Sequence, residues 1–259
     1  MSANPHLLLM AVLGLCVGSL LNVVVYRLPR MMSQQESGQF SLWWPRSHCP
    51  QCKTTIRWRD NIPLLSWLLL RGRCRHCVTA IGWRYPLTEL VALLITLLVM
   101  LLIPPGNALF AALLLGWMLL ALSLIDYDHQ LLPDNLTLPL LWSGLLFQLT
   151  GGTVSLADAV VGAMVGYLSL WLLYWFFRLF TGKEAIGYGD FKLLAALGAW
   201  LGWMALPSLL LMTALAGIVI TLAAKLIARR PLSAPLPFGP LLSIAGWTLF
   251  LRQAIEGGV

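Results

Sequence analysis

Charge is scarce in this chain. Only 10% of its 259 residues are Asp, Glu, Lys or Arg, against 59% hydrophobic residues. A water-soluble domain of this length carries more than twice that share of charge, so the composition excludes an ordinary soluble enzyme and points to lipid as the main solvent. Other absences narrow the field further. There is no tandem repeat and no low-complexity tract, and no Gly-rich loop of the Rossmann kind follows a strand, so a dinucleotide-type site is excluded. Cysteine is confined to five positions, four of them in one short segment.

What the sequence has instead is long unbroken apolar runs. Eight of them, at residues 7–26, 87–103, 108–125, 136–149, 159–177, 193–206, 208–224 and 236–251, are candidate transmembrane helices. The runs starting at Leu136 and Leu193 are short for a full crossing, and Pro139 and Pro240 are expected to distort their helices near the ends. The first run has the position of a signal peptide. No basic stretch precedes it, however, and Arg27 and Arg30 follow it in a stop-transfer arrangement, so it reads as a retained helix. Threading eight spans places 16 of the 17 Lys and Arg residues on one side, with Arg252 alone elsewhere. The positive-inside rule makes that side cytoplasmic and both termini external. The expected architecture is an all-α polytopic membrane protein of about eight transmembrane helices with a small cytoplasmic zinc-ribbon-like domain between helices 1 and 2. The expected division is 1–28 for the first helix, 29–86 for the basic four-cysteine domain and 87–259 for the membrane domain.

Ten basic and two acidic residues, Glu36 and Asp60, fall between Arg27 and Arg84. Such a surface either meets anionic lipid headgroups or an acidic partner, or serves only to fix topology. Nucleic acid is not expected as a partner, because no binding-fold signature accompanies the charge. Within this segment Cys49 and Cys52 form one C-x-x-C knuckle and Cys74 and Cys77 another. Four thiolates at this spacing converge on one ion, as in structural zinc ribbons, and a reducing cytoplasm disfavours the rival reading of two disulfides. With all four positions used, the metal folds the domain and does no chemistry. His48 and His76 are surplus to the ligand set, and Cys16, in the first span, reads as a buried small hydrophobe.

The chain has ten acidic residues, and most have ordinary roles. Asp158 reads as a helix cap, Asp134 as an N-cap after Pro133, Asp128 as a solvated turn residue, and Glu256 as an external helix end. Asp126, by contrast, closes a charge-free span, and Asp190 opens another behind the glycines of Gly187-Tyr188-Gly189-Asp190. Ionisable groups at membrane depth are costly and usually functional. Topology puts both at the cytoplasmic ends of their helices, where they can meet. Two adjacent carboxyls share a proton, one acting as base on a water while the other polarises a carbonyl. The glycines suit close approach of an extended backbone and a positive φ at a helix start. The plain alternative is a turn whose aspartate caps the helix. A transporter would place its acids at mid-span, and an adaptor without catalysis would leave the glycine-aspartate stretch unexplained. By spacing alone, Asp128 and Asp134 compete with Asp126.

The motifs together resemble the type IV prepilin peptidases, the bifunctional leader peptidases and N-methyltransferases of pilus and type II secretion systems. They are GSLLNVVVYRLP from Gly18 to Pro29, the paired knuckles, RYPLTEL from Arg84 to Leu90, LIDYDHQLLPD from Leu124 to Asp134, GYGDFKLLAALGAW from Gly187 to Trp200, and PFGP from Pro237 to Pro240. The resemblance implies that Asp126 and Asp190 are the catalytic pair of an aspartic endopeptidase in the bacterial inner membrane, facing the cytoplasm. It implies a prepilin or pseudopilin substrate with a short basic leader, cut after Gly ahead of an apolar helix. It also implies N-methylation of the new N-terminus from S-adenosylmethionine, since the cysteine domain is a mark of the bifunctional members. No residue is assigned to the methyl donor.

Overall fold

The computed structural model describes residues 5–32, 41–182, 187–228 and 237–257. Glu36, Glu184 and the proline-rich stretch 231–236 lie outside the described residues. Among the described residues there are nine α-helices: α1 Pro5–Met32, α2 Leu65–Leu69, α3 Arg84–Leu102, α4 Asn107–His129, α5 Asp134–Leu149, α6 Leu156–Thr181, α7 Tyr188–Leu201, α8 Leu206–Ala228 and α9 Phe238–Glu256. The only β pairing among them is two isolated bridges in the cysteine segment. Each of the eight apolar runs is therefore a helix, and α2 is an addition. Five segments, His6–Met32, Arg84–Leu102, Asn107–His129, Leu156–Thr181 and Trp203–Ala223, are long and apolar enough to cross a bilayer, which makes this a multi-pass membrane protein. At 16 and 14 residues, α5 and α7 are shorter than a full crossing.

Contacts divide the chain into two compact units, Met1–Leu101 and Leu102–Val259. In the first, α1 and α3 pack with backbones close together. A Cβ on Gly14 would lie 2.6 Å from Thr96 Oγ1, and one on Gly18 would lie 2.6 Å from the Glu89 Cα. Glycines four residues apart are the standard means of bringing membrane helices this near. Cys16 falls between those glycines and is exposed, which corrects the expectation of burial: at that helical angle it points away from α3. Helix α1 also outruns its apolar stretch, continuing through Pro29 to Met32. Arg27, expected only as a stop-transfer charge, is buried and donates to the carbonyls of Ser41 at 2.9 Å, Leu42 at 3.2 Å and Pro45 at 2.6 Å. A buried guanidinium is tolerable only with such partners, and in taking them it fixes the chain that leads to the first knuckle.

In the second unit the organising element is α7. From Leu193 to Leu201 every residue is buried, so this helix is apolar all round and enclosed by protein. Glycines on the surrounding helices make the space. A Cβ on Gly162 of α6 would lie 2.3 Å from the Gly198 carbonyl oxygen, and one on Gly198 would lie 2.2 Å from that of Gly162. Gly166 of α6 faces the Leu194 carbonyl in the same way, Gly144 of α5 lies beneath the Trp200 ring, and Gly246 of α9 lies beneath Leu197. At its end, the Trp200 indole donates to the Leu140 carbonyl at 2.8 Å, and Gln148 donates to the Trp200 carbonyl at 2.7 Å. The buried polar groups of the helix end are thus paired.

Several expected boundaries move. The run predicted at 193–206 begins earlier, at Tyr188, because the glycine-aspartate stretch is itself the first helical turn. It ends at Leu201, where Gly202 adopts φ 76°, before a 3-10 turn and α8. Asp158 is not the cap of α6. Ser155 holds that position, accepting from the Asp158 N–H at 3.1 Å, while Asp158 returns an oxygen to the Ser155 hydroxyl at 2.6 Å and another to the Trp203 indole at 3.0 Å. A reciprocal cap of this kind needs a residue at the cap and another three positions on, so the acid marks the second place.

The mutual contact of Gly162 and Gly198 gives a direct test. Gly198→Leu forces a side chain onto the α6 backbone, which cannot move without separating the helices, and is expected to cost about 3 kcal/mol. Thermal unfolding in detergent should show a clear fall in Tm against Gly106→Leu, a site where a Cβ meets nothing within 4 Å.

Candidate active site and metal cluster

The two knuckles are built alike. Cys49 N–H donates to the Thr54 carbonyl and Lys53 N–H to the Cys49 carbonyl, each at 3.0 Å. In the second knuckle Cys74 and Val78 make the matching bonds, with Thr79 in the place of Thr54, at 2.8 and 3.0 Å. Lys53 and Val78 take the same left-handed conformation, φ 57° and 59°. That turn aims both thiols of each pair inward. All four sulfurs, from Cys49, Cys52, Cys74 and Cys77, lie within 4.8 Å of one another, and those of Cys49 and Cys77 are 3.7 Å apart. Ligands 2.3 Å from a tetrahedral zinc would stand about 3.8 Å apart, so the cluster fits one such ion. None of the four is in a disulfide.

Two residues not singled out from sequence complete the cluster. The Thr79 hydroxyl lies 3.2 Å from Cys77 Sγ, and together with the Thr79 N–H it holds the Cys77 thiol down to about 6. Thr54 does the same to Cys52, which is lowered from the ordinary thiol range. The repeated pattern C-x-x-C-x-T carries this signal in the sequence. Thiolate is the metal-binding form, so both threonines favour a bound cation. His48 and His76 are exposed and stand outside the cluster, as expected of surplus histidines.

In the second unit Asp126 is buried one turn before the end of α4. Its Oδ2 accepts from the Gly239 N–H at 2.9 Å, at the first turn of α9. A Cβ on Gly239 would stand 2.7 Å from that oxygen, so only glycine brings the amide to the carboxylate. Gly239 is the glycine of the PFGP motif, and its amide holds one oxygen of Asp126.

Asp190 sits in the first turn of α7, close enough to Asp126 for their charges to interact. It is not the cap, as the plain alternative supposed. Gly187 is the cap, the Asp190 N–H donates to its carbonyl at 3.1 Å, and the Asp190 carboxylate accepts from the Gly187 N–H. The expected positive φ is absent too: Gly187 has φ −75°. Space is what Gly189 supplies, because a Cβ there would lie 2.8 Å from the Cβ of buried Leu132. The loop after α4 is thereby seated against the start of α7. Tyr174, Tyr188 and Phe191 close the other side, with ring centroids 5.1 to 5.8 Å apart.

The neighbouring acids separate from the pair. Asp128 is exposed. Asp134 is not the cap of α5, since Pro133 occupies that position; its carboxylate instead accepts from Lys192 Nζ at 2.6 and 2.8 Å. This half-exposed ion pair adds little energy, but it ties the start of α5 to the start of α7.

A multi-pass helical membrane protein with two neighbouring aspartates on different helices and a four-cysteine knuckle in its N-terminal unit is thereby defined. The chain belongs to the type IV leader peptidase family: residues 113–222 match that family, and residues 12–103 match the Bacterial Peptidase A24 N-terminal domain. It is 56% identical over 250 residues to a prepilin leader peptidase/N-methyltransferase of Pectobacterium carotovorum subsp. carotovorum, covering 92% of this chain and 90% of that one. It is 52% identical over 254 residues to the protein of the same name from Aeromonas hydrophila, covering 92% and 88%. A third, from Klebsiella pneumoniae, is 58% identical over 199 residues, covering 77% and 86%. No solved structure matches the chain.

The cluster predicts a single metal per chain. Cys77→Ser is expected to lose most of it, and Cys16→Ser none, when the purified protein is measured by elemental analysis.

Proposed function

We propose that this chain removes the leader from prepilins or pseudopilins and N-methylates the residue so exposed, with Asp126 and Asp190 as the catalytic pair. The activity follows from family membership and from relatives of that name over nearly the whole chain. The observation that carries the residue assignment is the Gly239 amide on Asp126 opposite an Asp190 held by its own helix cap.

The chemistry follows from that arrangement. Two carboxyls in electrostatic contact hold one proton between them. The ionised member takes a proton from the attacking water, and the protonated member donates to the scissile carbonyl oxygen as the tetrahedral intermediate forms. The proton taken from water is then returned to the leaving amine. The Gly239 N–H occupies one acceptor position of Asp126 Oδ2, which leaves Oδ1 to accept from the attacking water. Cleavage occurs after the glycine of a short basic leader at the cytoplasmic face of the bacterial inner membrane. The sixteen basic residues assigned to that side would face the cytoplasm in a threading of eight crossings.

Cys49, Cys52, Cys74 and Cys77 would hold zinc as a structural ion with no open position, so its contribution is to fold the segment 29–86 as a domain between the first helix and the membrane domain 87–259. S-adenosylmethionine supplies the methyl group in the second activity.

Asp126→Asn and Asp190→Asn should each abolish leader removal from a coexpressed prepilin-like substrate, with methyl transfer to a pre-cleaved substrate retained. Continued cleavage by either variant would overturn the assignment. Gly239→Ala displaces Asp126 without touching its charge, and it should lower kcat by on the order of 100-fold, the usual cost of moving a catalytic group by about 1 Å.

A further inference from the structure

The segment between the knuckles does not have the surface of a soluble loop. Helix α2 turns one side inward: the Ser66 hydroxyl accepts from the Ile62 N–H at 2.9 Å and donates to the Arg59 carbonyl at 3.0 Å. The Trp67 indole donates to the Ile81 carbonyl at 3.3 Å, and its ring centroid is 4.5 Å from that of Trp83. The other side presents Leu65, Leu68 and Leu69, which are 50%, 64% and 74% exposed. Their spacing of three and four residues puts them on one helix face. Trp58, in the 3-10 turn just before, is 83% exposed between Arg57 and Arg59.

In water such a patch would invite aggregation. The depth of α2 argues that it does not meet water. The Leu64 N–H at its cap donates to the buried Glu89 carboxylate at 2.8 Å. Glu89 is the sixth residue of the membrane-spanning α3, about 8 Å along the axis from Arg84 at 1.5 Å per residue. That matches the depth of roughly 5–10 Å at which interfacial helices bury their apolar face. The polar residues around it have the right sign. Arg57, Arg59, Arg71 and Arg73 are exposed, and the acid in this segment, Asp60, is already bound by Arg75 at 2.6 Å. Tryptophan and arginine beside leucines is the composition of a membrane interface.

We propose that α2 and Trp58 form an interfacial foot of the cysteine domain: Leu65, Leu68, Leu69 and Trp58 enter the headgroup–acyl boundary of the bilayer, and the flanking arginines bind anionic lipid headgroups. The domain is thereby laid on the membrane surface. The proposal rests on α3 crossing the bilayer and is independent of the peptidase chemistry.

The full-length protein in phosphatidylglycerol-containing nanodiscs tests it, with a fluorescent amino acid replacing Leu69, exposed Lys53 of the first knuckle, or Leu94 within α3. Quenching by lipids carrying a shallow doxyl group should be several-fold stronger at 69 than at 53, and quenching by aqueous iodide should be ranked the opposite way. Lipid quenching at 94 reports separately that α3 spans. Iodide quenching at 69 equal to that at 53 would overturn the proposal, as would protection from iodide without lipid quenching, which means that protein covers α2. Replacing phosphatidylglycerol with a zwitterionic lipid, whose phosphate is offset by its own ammonium, should weaken lipid quenching at 69, and no change would overturn the arginines' role in binding anionic headgroups. A label replacing Leu68 gives a second reading of the same face.

Discussion

The second unit depends on how closely α7 can be surrounded. A helix of 14 residues extends about 20 Å, short of the roughly 30 Å of a hydrocarbon core, so the polar groups of its buried far end must be satisfied by protein. Glycines on α5, α6 and α9 allow that enclosure, and Gln148 and Trp200 pair the polar groups at its far end. The near end carries Asp190. A carboxylate placed on an enclosed helix start has its direction set by backbone packing, which is stiffer than any side-chain contact.

Asp126 is positioned by a different means to the same effect. It lies on α4, a long span, and takes its orientation from an amide on α9 across 113 residues of sequence. Each aspartate therefore has one backbone N–H committed to it and keeps acceptor capacity for a water or a substrate. Lys192 and Asp134 pair beside them and stitch α5 to α7. Since that pair is half exposed, its value is in register and not in stability.

The N-terminal unit uses buried polar groups for a similar purpose. Arg27 of α1 gathers three carbonyls ahead of the first knuckle, and Glu89 of α3 receives the amide that starts α2. Both are buried charges on membrane helices, and each fixes the chain that flanks a knuckle. Between them the chain forms two matched turns that present four sulfurs, with a threonine hydroxyl in each. The cysteine segment is in this way tied to its flanking helices at both ends.

By itself the sequence determined the solvent, the helices and the family. Apolar runs specify membrane helices because the backbone has no other way to satisfy itself in lipid, and C-x-x-C pairs and membrane-depth aspartates are rare enough to mark candidate sites. The family resemblance was written in motifs from Gly18 to Pro240 and agrees with the matches found over the chain. Only the tertiary structure decided which residues orient those groups. Gly239 on Asp126, Leu132 under Gly189, Ser155 as cap in place of Asp158, and Pro133 as cap with Asp134 paired to Lys192 depend on which atoms meet. A glycine needed for space and one needed for φ read the same in a sequence. The distance to the neighbouring backbone is what tells them apart.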